Sequence, residues 1–355
     1  MDYDNARRFI AFQPGKHEQL RSHRIYFNSR GERLDMGALG LRIHKRRIVA
    51  TCSFFQLTLK FYYNGFLQAH YSARCRHLLP RYLRPPCHPA TPLWETLPAT
   101  PDLPGKPAGT KTTVNGIQIW HAEFGTKSSS KLPVLMLHGG FGSSNYWGSV
   151  VEKLMKNHYV IVMDARGQGR STMDSTPYSF DLYARDAAGI LKSLGISQAA
   201  WVGWSEGADT VLAALLNSEL APYVARGFTT GAWHNVEANN ATYTETAIYN
   251  EFITRASAEY RAFQPNGNLT ALANALTVLE ATQPTWTQSD LSKITLGSKL
   301  TLSWGEHEEA IKLSELTLMP SWIKNSKSVI MTGVSHFAPL QDPTQFAAAV
   351  EKFLA

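Results

Sequence analysis

AAWVGWSEGADTVLAALL, residues 199–216, decides the reading. It opens on a short apolar run, Ala199 to Val202, bounded by a glycine, which is the pattern of a buried strand. It closes on a run with helical spacing from Ser205 to Leu216. Between the two stands Gly203-Trp204-Ser205-Glu206-Gly207, of the form G-x-S-x-G. A serine between a strand and a helix in this frame sits on a turn too tight for side chains at the flanking positions, hence the glycines. The turn pushes the Ser205 hydroxyl out above the strand ends. It also puts the serine at a helix N-terminus, where partial positive charge favours a developing oxyanion.

A serine hydroxyl is a weak nucleophile and needs a base. His336, in Gly333-Val334-Ser335-His336-Phe337, follows the last strand pattern and precedes the last helix, where the base falls in the chain order Ser, acid, His. His307 is the competing histidine and lies beside the expected acid. The acid should follow the strand Leu300–Trp304, where the chain reads Gly305-Glu306-His307-Glu308-Glu309. Three carboxylates compete there to hold the imidazole tautomer and stabilise the imidazolium. Glu308 is the choice; Glu309 is read as the first turn of a helix and Glu306 as solvated. Two backbone N–H groups should form the oxyanion hole. One belongs to Glu206, after the nucleophile. The other comes from the loop His138-Gly139-Gly140-Phe141-Gly142, with Gly140 favoured and Phe141 next.

Outward from this centre the text alternates. TTVNGIQIW, residues 112–120, reads as a hairpin turning on Asn115-Gly116. Strand patterns follow at Pro133–Leu137, Tyr159–Met163, Ala199–Val202, Val224–Thr230, Leu300–Trp304 and Ser328–Met331. Helical spacing occurs at Trp147–Lys156, Asp181–Leu194, Ser205–Leu216, Glu309–Met319 and Thr344–Leu354. The runs VLMLH and VIVMD are apolar throughout, as expected of strands buried on both faces of a parallel sheet. A polar helical block at about 233–290 interrupts the alternation after the sixth strand and is read as a cap over the strand ends. No internal repeat is visible.

The chain has 355 residues and a formal charge of +7. Residues 1–100 hold 16 Lys and Arg against 6 Asp and Glu, which leaves 19 against 22 for the rest. The basic character therefore belongs to the N-terminal third, and the remainder has no basic field to hold a polyanion. Residues 80–108 contain nine prolines, which favours an extended linker over helix or sheet. We read 1–100 as a basic leader outside the catalytic fold, disordered or extraneous to the working protein, and 101–355 as the catalytic domain. Cys52, Cys75 and Cys87 all lie in the leader, so thiolate and disulfide chemistry is not expected of the domain, nor is zinc from an odd, irregular set. No secretory h-region opens the chain. The apolar run Ile48–Leu67 is broken by Gln56, Lys60 and Asn64, which argues against a membrane span. The sequons at Asn240 and Asn268 are read as chance matches.

Together HGGFG, DARGQGRS, GWSEG, GEHEEAI and GVSHFAPL resemble the α/β-hydrolase superfamily in its esterase–lipase–lactonase branch, over about residues 110–355. The resemblance implies an eight-stranded, mostly parallel sheet flanked by helices, with a helical cap. It implies acyl-enzyme chemistry without metal or organic cofactor. It carries nucleophile onto Ser205, base onto His336 and acid onto Glu308. The acid departs from the family's commoner Asp. Relatives that open epoxides or remove halogens use an Asp nucleophile, so the serine argues against those reactions. The expected activity is hydrolysis of a carboxylic ester or lactone. C–C bond hydrolysis, acyl transfer by the same triad, and a non-catalytic ligand-binding member of the fold are the alternatives. The expected partner is a small acyl substrate, with no nucleic acid and no membrane; the oligomeric state is not legible, and the cytoplasm is the default compartment. Trp147, Trp204 and Trp233 are expected to line the acyl pocket. Asp164, Arg166 and Arg170 are expected to fix their own loop, and Asp186 to be a carboxylate on a helix face.

Overall fold

The computed structural model describes residues 91–355 in full and, before them, only the backbone of a few strands. The chain divides into two compact units, Met1–Pro89 and Ala90–Ala355. In the first, Arg47–Ser53, Gln56–Tyr63 and Phe66–Arg74 pair as a three-stranded antiparallel sheet. The remaining expectations for the basic leader, including those on Cys75, Cys87 and the Cys52 side chain, lie outside what is described. The second unit starts at Ala90, so it includes residues that composition had assigned to the leader.

The second unit is built on one eight-stranded sheet. β1 (Thr110–Val114) and β2 (Ile117–Phe124) form the expected hairpin, with Val114 opposite Ile117. Its two-residue turn holds Asn115 at φ 45° and Gly116 at φ 83°, the left-handed pair that matches strand twist. β3 (Val134–Leu137), β4 (Val160–Met163), β5 (Ala199–Trp204) and β6 (Val224–Thr230) follow, then β7 (Leu300–Gly305) and β8 (Lys327–Met331). The sheet order is β8-β7-β6-β5-β3-β4-β2-β1, and every pairing from β8 to β4 is parallel. The hairpin closes one edge antiparallel against β4.

Every residue of β3, β4, β5 and β7 is buried. Helices cover both faces: α1 (Gly148–Leu154), α2 (Phe180–Ser193) and α3 (Glu206–Leu216), then α7 (Glu315–Trp322), α8 (Ala338–Gln341) and α9 (Pro343–Leu354) after the cap. α2 begins where the Ser179 hydroxyl accepts the Leu182 N–H, and it stops before Gly195 at φ 67°. Each fully buried Val, Leu or Ile contributes about 1.5–3 kcal/mol, so the central strands form the stiff base on which the loops at their carboxyl ends are held.

Between β6 and β7 lie the cap helices α4 (Ala247–Phe263), α5 (Leu269–Thr282) and α6 (Gln288–Leu291). The cap is tied to the sheet by the DARGQGRS loop. The Arg170 guanidinium lies between the Trp120 ring, at 4.3 Å, and the Phe263 ring of α4, at 3.8 Å. Gln264, at the end of α4, donates to the carbonyls of Gly169 and Ser171.

The expected helix over Glu309–Met319 is displaced. Residues 306–314 form no helix, and α7 begins only at Glu315. The segment instead runs beside the root of the cap: Asn240 N–H donates to the Ala310 carbonyl and Lys312 N–H to that of Ala238. Those backbone groups are committed to the cap, so helical bonds cannot form there.

Candidate active site

The carboxyl ends of β5, β7 and β8 carry the three loops that sequence had singled out. Ser205 sits at φ 56°, ψ −124°, a conformation an L-residue adopts only under constraint. The glycines explain how the turn closes. A Cβ on Gly203 would stand 2.1 Å from the Gly207 carbonyl oxygen, and one on Gly207 would stand 2.1 Å from that of Leu137.

His336 Nε2 lies 2.9 Å from Ser205 Oγ, and His336 Nδ1 lies 2.7 Å from Glu308 Oε1. The structure thus brings Ser205, His336 and Glu308 into one hydrogen-bonded line. Glu308 is buried, and its Oε1 also accepts the N–H groups of Ala310 and Ile311, which fixes the carboxylate. Burial opposes charge on His336, but Glu308 and its hydrogen bond, then Glu309 and Glu280, outweigh it and hold the imidazole above its ordinary value. His307 is not in this line; it stacks on Trp94 with ring centroids 3.7 Å apart.

Among the described residues, no acceptor pairs with the backbone N–H of Glu206, Gly140 or Phe141. Gly139 packs against the serine, since a Cβ there would meet Ser205 Cβ at 3.0 Å. Phe141 turns at φ 61°, and Gly142 N–H closes the loop on the Gly139 carbonyl. His138 secures its base: its Nε2 accepts the Ala165 N–H, leaving the proton on Nδ1, which donates to the Gly139 carbonyl. Burial keeps this imidazole neutral by lowering its pKa. The side chain of Glu206 points away from the serine line. It is buried, accepts from Gln168, and leaves Oε1 without a partner. Burial, reinforced by Glu280, raises its pKa, so the proton is held far more tightly than on a solvated carboxyl.

The three tryptophans expected at the acyl pocket are all buried. Trp147 and Trp204 are 0% and 1% exposed and pack edge-on to one another in the core. Trp204 Nε1 donates to the His336 carbonyl at 2.7 Å, so it supports the site from beneath. Trp233 is buried edge-on against Phe180. Aromatic size makes such residues as apt for a core as for a pocket, and here packing wins.

Asp164 is a hub, accepting from Ser144 and from the backbone and side chain of Arg170. Asp186 lies on α2, as expected of a helix-face carboxylate. It is buried and pairs bidentately with Arg166, with both contacts at 2.8 Å. Gly231 is a site residue that sequence reasoning passed over. It stands at φ 69°, and a Cβ there would lie 2.7 Å from His336 Cε1. Its signal was a glycine directly after a buried strand, β6, next to the strand that carries the serine.

This sheet order and this strand–turn–helix at Ser205 are those of the α/β-hydrolase fold. A family model described as the alpha/beta hydrolase fold matches residues 133–282. The chain is 33% identical over 120 residues to a bifunctional esterase/perhydrolase of Acinetobacter calcoaceticus, a match covering 33% of this chain and 39% of the relative. It is 34% identical over 116 residues to a non-heme haloperoxidase of Rhodococcus erythropolis, covering 32% of this chain and 38% of that one. The chain thus spans about two-fifths of the length of these curated relatives. A solved meta-cleavage product hydrolase from Pseudomonas fluorescens IP01 shares the fold, with a TM-score of 0.57 at 18% identity over 69% of this chain and 97% of that one.

Proposed function

We propose that the chain is a hydrolase that cleaves a carboxylic ester or lactone through a Ser205–His336–Glu308 triad and an acyl-enzyme. The observation that carries this reading is the unbroken hydrogen-bond line from Ser205 Oγ through both imidazole nitrogens to Glu308. The hydrolase names of the relatives agree with it. His336 Nε2 takes the hydroxyl proton as Ser205 Oγ attacks the carbonyl carbon. The tetrahedral oxyanion is held by the N–H groups of Glu206 and Gly140. The C–O bond to the leaving alcohol breaks as His336 returns the proton to it. Water then attacks the acyl-enzyme by the same route and releases the acid and the free serine. Glu308 keeps the Nδ1 proton in place and stabilises the imidazolium. Loss of one oxyanion donor typically costs about 2.7–4 kcal/mol of barrier.

The test needs no substrate. A fluorophosphonate probe phosphorylates an activated serine. Wild type should label, whereas Ser205→Ala and His336→Ala should fold and fail to label. Equal labelling of wild type and Ser205→Ala would refute the nucleophile. A labelled wild type then goes to an ester and lactone screen.

A further inference from the structure

The loop after β7 supplies three carboxylates, and the reaction above employs one. The other two also reach the segment that carries His336. Glu306 Oε2 accepts the Gly333 N–H at 2.8 Å. Glu309 Oε2 accepts the backbone N–H of His336 itself at 2.9 Å, and its Oε1 accepts the Ser335 hydroxyl at 3.1 Å. Ser335 is clasped from the far side by Gln341, whose Oε1 accepts the Ser335 N–H at 2.7 Å and whose Nε2 donates to the Ser335 hydroxyl at 3.0 Å. The catalytic imidazole is thus hung from a backbone whose last amide is fixed by a carboxylate.

We propose that Glu309 is a positioning residue of the site: its carboxylate anchors the Ser335 hydroxyl and the His336 backbone and sets a second negative charge beside the imidazole. The inference rests on the serine-hydrolase reading for its meaning, but not for its test. Two acceptor oxygens meet two donors on adjacent residues, so both the angle and the height of His336 above the sheet are constrained. Charge-assisted bonds of this kind are about twice as strong as neutral ones. Among the described residues no Lys or Arg pairs with Glu309, so its charge is directed at its neighbours. The titratable groups around it are Glu308 on the same loop, His336, and Tyr243 at the cap root; Glu280 of α5 also acts on His336. Burial and then Glu308 raise the pKa of Glu309, and His336 pulls it back. Glu309 in turn is among the groups that favour the imidazolium form of His336.

The sign of the effect follows. Where Glu309 is ionised, removing its charge makes the imidazolium less favourable, so His336 loses its proton at lower pH; the raised pKa of Glu309 confines this effect to the upper part of the imidazole range. In Glu309→Gln a carboxamide oxygen still accepts the His336 N–H, but the charge is gone. In Glu309→Ala both are gone. The rate of fluorophosphonate labelling of the full chain is measured from about pH 5 to 9, spanning the imidazole range. Glu309→Gln should keep its plateau within a few-fold, with the acid limb lowered by about half a pH unit or more, as an opposite charge near an ionisable group requires. Glu309→Ala should lose about tenfold or more of the plateau, the scale set by misplaced catalytic groups. The His336 titration is read separately by NMR in wild type and Glu309→Gln, with His336→Ala for assignment. A lower His336 pKa in Glu309→Gln supports the inference, and an unchanged one overturns it, whether or not Ser205 labels. Equal plateaus for the Ala and Gln variants would also overturn it. If Glu309→Ala does not fold, the Gln variant decides alone. A wild type that titrates as expected yet never labels would instead refute the serine-hydrolase reading.

Discussion

Gly231→Ala tests the site without replacing any residue of the proposed triad. The new Cβ would stand 2.7 Å from His336 Cε1 and 2.9 Å from Nδ1. Carbon atoms pack at about 3.5–4.0 Å, so the imidazole must retreat by about 0.8 Å. It has no slack for this. Nδ1 is held by Glu308 at 2.7 Å and Nε2 reaches Ser205 at 2.9 Å, so retreat lengthens one bond or both. A misplacement of about 1 Å costs on the order of 100-fold in rate. The backbone adds a second term, because an L-residue at φ 69° is disfavoured by about 1–2 kcal/mol. We expect fluorophosphonate labelling to fall about 100-fold. The melting temperature should fall by only a few degrees, at roughly 2–4 °C per kcal/mol for a domain of this size. The two readouts separate misplacement from unfolding. A Gly231→Ala protein that labels within a few-fold of wild type would refute the reasoning that a side chain here and the His336 imidazole compete for the same space.

Two further outcomes are expected. Arg166→Met should destabilise by about 3–5 kcal/mol in urea, because it strands the buried Asp186 carboxylate, and Asp186→Asn in the same chain should recover most of that loss. A chain starting at Pro101 should melt below one starting at Ala90. It lacks Trp94 on His307, the Thr96 carbonyl that takes Gln341 Nε2, and the Leu97 and Pro98 carbonyls that take Arg255. Equal melting temperatures would remove those contacts from the fold.

The strand–helix alternation, the hairpin and the strand–turn–helix at Ser205 were legible because each rests on local chemistry. Asn115-Gly116 specifies its own turn, and Gly203 and Gly207 are demanded by backbone within the same few residues. What stayed hidden depends on partners distant in sequence. The non-helical path of residues 306–314 is decided by the cap root some seventy residues earlier, at Ala238 and Asn240. No periodicity records that pairing, and the carboxylates after β7 read as well as a helix start. The burial of Trp147 and Trp204 is likewise a matter of which faces meet, since an indole suits a core and a pocket alike. Residues 90–100 were assigned to the leader because proline density reports the absence of regular structure, not the absence of packing.

The ladder between Ala238–Asn240 and Ala310–Lys312 makes the root of the cap and the mount of Glu308, the proposed triad acid, a single mechanical piece. Glu308 sits two residues before the first rung and spends its own oxygen on the amides of Ala310 and Ile311. Whatever tilts the root of the cap therefore pulls on the acid. A cap grafted from another protein of this fold is consequently not an interchangeable module here: it must bring a strand edge that fits Ala310–Lys312, or the graft displaces Glu308 along with the cap.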